Sequence, residues 1–160
     1  MATAKQTLND LAYAKSHFVK MMFLPQAWQA ARTAHLTWDV IDFPPSPNAL
    51  PDMPGVYVFV ATPNIFDCDW AGGLFYIGKA TSLYQRISSY IAEIDKDFQT
   101  TRRPKVWKMV NQWSGYLKYF YTITPTVAAA ESLEAEMIEA FRPPINTQYA
   151  AKTSRAMRAF

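Results

Sequence analysis

Between residues 44 and 55 the chain reads PPSPNALPDMPG, with five prolines. Each proline fixes φ and removes a backbone donor, so neither a helix nor an interior strand can run through this stretch. It therefore works as a connector or boundary, and continuous elements must lie on either side of it. Before it, residues 5–34 predict two helices divided near Pro25, and LTWDVIDF, residues 36–43, is β-like in character. After it, GVYVFVAT and LFYIG predict two strands of an antiparallel hairpin with a long loop ending in Gly72 and Gly73. Residues 80–94 predict a helix, and RRPKVWKMVNQW (102–113) a shorter one with Pro104 near its start. YLKYFYTIT is a third, tyrosine-rich strand. VAAAESLEAEMIEAF (127–141) consists of strong helix formers and is stopped by RPP. The expected fold is α/β of the α+β type. A three-stranded antiparallel sheet from residues 55–60, 74–78 and 117–123 would be flanked by helices. An N-terminal helical extension spans residues 1–45, the main domain 50–148, and a short tail 149–160.

The bulk properties narrow the function classes. At 160 residues the chain is one ordinary domain with a short extension. Half the residues are hydrophobic and 15% aromatic, which supplies a core and excludes global disorder. A net charge of +3 permits an acidic partner without requiring one. Cys68 is the only cysteine and cannot form an internal disulfide; His17 and His35 lack paired-ligand spacing, which argues against zinc. No run approaches the roughly 18 apolar residues of a membrane span. Asn9, Asp10 and two lysines stand where a signal peptide would need an apolar block. The expectation is a soluble, cytoplasmic protein with no membrane contact.

The informative stretch is FYIGKATSLYQRISSYIAEI, residues 75–94. It begins as a strand, turns at Gly78, and continues with helical spacing that puts Arg86 and Tyr90 on one face. A face meant only for burial would not hold an arginine, so an anion is expected there. Taken singly, Tyr57 and Tyr76 read as strand aromatics and Lys79 as a solvated charge. Glu131, Glu136 and Glu139 read as the polar side of an amphipathic helix. Glu134 differs, because it falls between Leu133 and the Met137–Ile138 pair, close to the apolar face. A carboxylate there needs a cation, whether Arg, Lys or metal. Arg102, Arg103, Lys105 and Lys108 cluster before and within one helix, as either a solvated face or a surface for DNA backbone.

In order, PGVY, FYIGKA, an arginine seven residues after the lysine, LEAEMI and a closing Asn146 resemble the GIY-YIG nuclease superfamily. Within it the pattern is most similar to the N-terminal nuclease domain of the bacterial excision-repair protein UvrC. The resemblance covers about residues 50–148 and leaves the first 45 unexplained. The loop NIFDCDWAGG is longer than that domain's compact hairpin, and the tail after residue 148 is too short for UvrC's second nuclease domain and DNA-binding hairpins.

The resemblance implies a metal-dependent DNA endonuclease. Glu134 would hold a single divalent metal, Mg²⁺ or alternatively Mn²⁺, and Arg86 would clamp phosphate through two hydrogen bonds. A tyrosine would act as general base, with Tyr76 preferred and Tyr57 left open. Lys79 and Arg86 would favour the phenolate. Tyr90 would bind phosphate or hold Arg86, Asn146 would brace the site, and Gly78 would let backbone and phosphate approach. DNA beyond the cut would meet Lys79, Arg86, Arg102, Arg103, Lys105 and Lys108. The alternative is a catalytically idle scaffold of the same fold that binds nucleic acid or a protein. A third reading makes residues 1–45 an arm that contacts a protein partner. The motif residues are common to repair, restriction, homing and phage-encoded roles.

Overall fold

In a computed structural model of the protein, residues 36–46, 48–61 and 73–146 are described. The two helices expected over residues 5–34, the long hairpin loop and the tail after Asn146 lie outside the described residues. Four strands form one sheet: β1 (Asp39–Asp42), β2 (Gly55–Ala61), β3 (Gly73–Ala80) and β4 (Leu117–Ile123). Among the described residues three α-helices accompany them: α1 (Leu83–Ile91), α2 (Pro104–Gln112) and α3 (Val127–Phe141), with a 3₁₀ turn at Phe98–Thr100.

The sheet is antiparallel throughout, in the order β1-β4-β2-β3. The three expected strands are present, and the count of three is corrected to four. The β-like stretch before the prolines supplies β1, which pairs with the free edge of β4, Asp39 opposite Tyr121 and Asp42 opposite Lys118. Phe43, next in the chain, is buried in the core, so the end of the segment assigned to the extension is part of this packing unit.

Both faces of the central strand β2 are covered, which explains its nearly unbroken apolar run. One face carries Tyr57 and Phe59 with Tyr119 of β4, packed against Leu83, Ile87 and Tyr90 of α1 and Val106, Met109 and Val110 of α2. The other carries Val56 and Val58 with Ile77 of β3, packed against Ala130, Leu133 and Met137 of α3. Each helix begins where local chemistry allows. The Ser82 side chain accepts the Gln85 N–H at 3.0 Å, so this serine caps α1 and the helix starts at Leu83, later than the expected residue 80. Pro104 opens α2 at its first turn, and Thr126 caps α3 through the Ala129 N–H. Arg142 ends α3 in the left-handed region, with φ 46°.

Candidate active site

The register of β2 against β3 creates the site. Tyr57 stands opposite Gly78, and residues opposite each other in an antiparallel pair project to the same face. The Tyr57 ring therefore lies over Gly78, where a Cβ would fall deep inside contact with its hydroxyl and 2.8 Å from a ring carbon of Tyr76. The close approach expected between Gly78 and phosphate is, in this structure, an approach to a phenol.

Tyr57 is fully buried, and its ring stacks on Tyr119 at 5.3 Å between centroids and 15° between planes. Its hydroxyl lies 2.7 Å from that of Tyr90 and accepts a hydrogen bond from Arg86 Nε at 2.9 Å. The helical spacing of Arg86 and Tyr90 thus brings both side chains to one phenol. Anchored through Nε, Arg86 has no hydrogen-bond partner for its two terminal nitrogens among the described residues. Tyr76 completes the group with its ring centroid 6.1 Å from Tyr57 and 6.2 Å from Tyr90. Unlike Tyr57 and Tyr90, it is only partly buried.

The electrostatics of Tyr57 oppose a phenolate at this position, the alternative left open for the base. Burial pushes its hydroxyl well above the ordinary tyrosine value, Tyr90 and Tyr76 add to that, and Arg86 offsets only part of it. Tyr90 is likewise pushed up to about 12, chiefly by burial.

Glu134 approaches from the opposite face. Its Oε1 accepts the backbone N–H of Lys79 at 3.0 Å. Burial raises its carboxyl above the ordinary range, and the Lys79 amide, Lys79 and Arg86 offset that in part. Oε2 makes no hydrogen bond among the described residues. Lys79 stands opposite Val56 and so projects its side chain to the α3 face, where its ammonium pairs with Glu131. Glu131 is exposed, as expected of the polar side of its helix, while its pairing across 52 positions gave no sequence signal.

Asn146, expected to brace the site, bonds to the backbone of β3. Its side chain accepts the Ile77 N–H at 2.9 Å and donates to the Ile77 carbonyl at 2.8 Å, and the Ile145 N–H reaches the Phe75 carbonyl at 3.2 Å. β3 is an outer strand, whose outward polar groups would otherwise lack a ladder partner. Ile145, Asn146 and Glu134 supply partners for the Phe75 carbonyl, both polar groups of Ile77 and the Lys79 N–H, which ties down the edge that carries Tyr76.

The four basic residues expected to hold DNA are not equivalent. Arg102 and Lys105 are exposed and Lys108 is partly buried. Arg103 instead folds back onto α1, with its guanidinium 4.6 Å from the Tyr90 ring centroid.

A family model of the UvrC-like GIY-YIG domain matches residues 53–147. The chain belongs to the UvrC-like GIY-YIG domain family. Curated relatives include UvrABC system protein C of Saccharopolyspora erythraea, 32% identical over 111 residues that cover 69% of this chain and 13% of the relative. The protein of the same name from Mycolicibacterium smegmatis is 33% identical over 69% of this chain and 14% of its own length. The GIY-YIG chain thus spans about one-seventh of the curated relatives it matches. Among solved structures, the GIY-YIG N-terminal endonuclease domain of UvrC from Thermotoga maritima, bound to its catalytic magnesium, is 26% identical. The match covers 62% of this chain and 89% of that one, with a TM-score of 0.45.

In this GIY-YIG domain, Glu134 is suited to a hard divalent cation. It offers one fixed, half-buried carboxylate, and no cluster of three His, Cys, Asp or Glu side chains occurs among the described residues. Mg²⁺ commonly binds through one or two carboxylates and keeps waters or phosphate oxygens as its remaining ligands. No helix among the described residues is long and apolar enough to cross a membrane.

Proposed function

We propose that the protein is a metal-dependent DNA endonuclease that hydrolyses phosphodiester bonds at the Tyr76–Arg86–Glu134 site. The observation that carries this reading is the state of Arg86, held by Tyr57 through Nε with its terminal N–H groups uncommitted among the described residues. A guanidinium presented in this way can meet two oxygens of one phosphate, which a lysine cannot do with the same geometry.

Glu134 is the ligand for Mg²⁺ or Mn²⁺, and the raised carboxyl fits a group that gains from a nearby cation. When bound, the ion supplies charge neutralisation at the scissile phosphate and eases deprotonation of the attacking water. Tyr76 is the general base, because it is the phenol of the cluster with access to solvent. Tyr57 is buried with its hydroxyl committed to Arg86 and Tyr90, and serves to orient the clamp. Lys79 contributes its amide to Glu134 and its positive charge to the phosphate's surroundings. Asn146 holds the β3 edge. Arg102, Lys105 and Lys108 provide backbone contacts that give affinity without sequence information. Residues 1–45 are proposed as an extension for protein contact, with β1 and Phe43 joined to the nuclease unit.

The test is incubation of the protein with supercoiled plasmid, branched DNA and single strands, each with Mg²⁺ or EDTA. Nicking or linearisation that requires Mg²⁺ supports the reading. Binding without cleavage under every metal condition would leave a nucleic-acid-binding scaffold.

A further inference from the structure

Arg103 sits at the junction between the 3₁₀ turn and α2, where both its backbone and its side chain are occupied. Its N–H donates to Thr101 Oγ1 at 3.0 Å, and its carbonyl accepts from Trp107 N at 2.9 Å. Thr101 in turn donates to the buried Glu93 at 2.5 Å. From this fixed base the side chain crosses to α1. Nη1 lies 3.3 Å from the Ser89 carbonyl and 3.4 Å from Ser89 Oγ, while the guanidinium stacks on Tyr90. Ser89 Oγ also donates to the Arg86 carbonyl at 2.8 Å.

The turn of α1 that carries Arg86 is therefore gripped from two sides. On the inside, the Tyr90 and Tyr57 hydroxyls lead to Arg86 Nε. On the outside, Arg103 presses the Tyr90 ring and ties Ser89. A cation over a ring face is attracted by the ring quadrupole, and a planar fork can stack and donate at once. We infer that Arg103 is a positioning residue for the Arg86 clamp, acting through Tyr90, and is not one of the DNA-backbone contacts to which its place in the basic cluster would assign it. The inference deepens the proposed function and rests on it for the consequence to catalysis, but the positioning itself can be read without cleavage.

The two roles predict different behaviour. A phosphate contact displaces counterions, so its loss should reduce the slope of log K against log salt by about 0.9, and lysine should restore it. A positioning residue should leave that slope alone, lower kcat more than it changes KM, and resist replacement by lysine. The direct readout is the Nε–H NMR signal of Arg86 in the full chain, protected by its bond to Tyr57. Arg103→Ala should expose that proton to solvent exchange, and Arg103→Lys should do the same while keeping the charge. Arg102→Ala should leave the signal in place. On a duplex substrate with Mg²⁺, Arg103→Ala should lose about tenfold or more in kcat, within the range assigned to misplaced catalytic groups. In a Tyr90→Phe background, where the hydroxyl link is already cut, the same substitution should cost much less.

Should Arg103→Ala unfold the chain, the lysine variant carries the NMR test. An unchanged Arg86 signal in a folded Arg103→Lys or Arg103→Ala protein overturns the inference, as does a salt slope reduced by about 0.9 with kcat intact. A lost signal in a protein that cuts no DNA even as the parent supports the positioning and removes the endonuclease reading instead.

Discussion

Glu134 is tied to β3 through the backbone of Lys79: Oε1 accepts that N–H at 3.0 Å, and the lysine side chain goes elsewhere, to Glu131. The distinction matters for the most direct test of the mechanism. In Glu134→Gln the amide oxygen can still accept the Lys79 N–H, so fold and metal-free DNA binding should survive. The charge needed by Mg²⁺ is gone. Cleavage should fall by more than the roughly 10–100-fold that losing a mere supporting partner of a metal ligand costs. Plasmid nicking over a Mg²⁺ series measures this, and a rate near the parent's would remove Glu134 from the chemistry.

Tyr57 of PGVY and Tyr76 of FYIGKA should separate by role. Tyr76→Phe keeps the ring and removes the proposed base, so the rate should fall by roughly 10²–10⁴-fold while affinity in Ca²⁺ holds. Tyr57→Phe removes the acceptor of Arg86 Nε and the partner of Tyr90. Arg86 is then less well aimed, and a smaller loss of rate should accompany about 1 kcal/mol of lost stability. Single-turnover cleavage and urea unfolding of both variants decide the matter. A dead Tyr57→Phe beside a nearly normal Tyr76→Phe reverses the assignment of the base.

Gly78→Ala tests the contact that the β2–β3 register imposes. The added methyl would collide with the Tyr57 phenol, which has little freedom because Tyr119 stacks on it and Arg86 and Tyr90 hold its hydroxyl. Overpacking of this kind costs about 1–3 kcal/mol. The expected result is that loss in urea unfolding, together with lower activity from a displaced Arg86. Unchanged stability would mean that Tyr57 can move aside.

Much of this arrangement is legible in the sequence because it rests on local periodicity. Arg86 and Tyr90 meet one phenol because they lie one helical turn apart, and β2 announces itself through valine, tyrosine and phenylalanine in a short run. What escapes is pairing between distant segments. DVID could be read as a strand, but nothing in its residues says that it pairs with β4 instead of standing apart. Glu134 was legible as a carboxylate beside an apolar face, whereas its hydrogen bond to a backbone amide 55 positions away was not. Arg103 was grouped with its basic neighbours because sequence records its charge but not the rotation that lays it on Tyr90. Gly78 carried the signal of a close approach, but nothing local showed that the Tyr57 phenol would be one of its neighbours.

High pH should destabilise the fold because its phenols are buried. Tyr57 lies well above and Tyr90 at about 12 against an ordinary value of 10.0, in each case mainly because burial disfavours the phenolate. An unfolded chain would release these protons near pH 10, whereas the folded chain retains them. The folded state thus binds more protons than the unfolded one above that point, and stability falls as pH rises. The contribution is fully present below pH 10 and is lost as pH climbs through the folded values. For Tyr90 that window runs from 10.0 to about 12. Each retained proton adds up to about 1.4 kcal/mol of lost stability per pH unit. Because the two hydroxyls share a hydrogen bond, they should titrate as a pair. Urea unfolding at several values between pH 10 and 11.5 should show a steep decline in the parent. Tyr90→Phe should decline less steeply by about one proton, even if it starts lower. Equal slopes in parent and variant would mean that Tyr90 ionises as it does in water, and that the buried Tyr57–Tyr90–Arg86 cluster opens before it titrates.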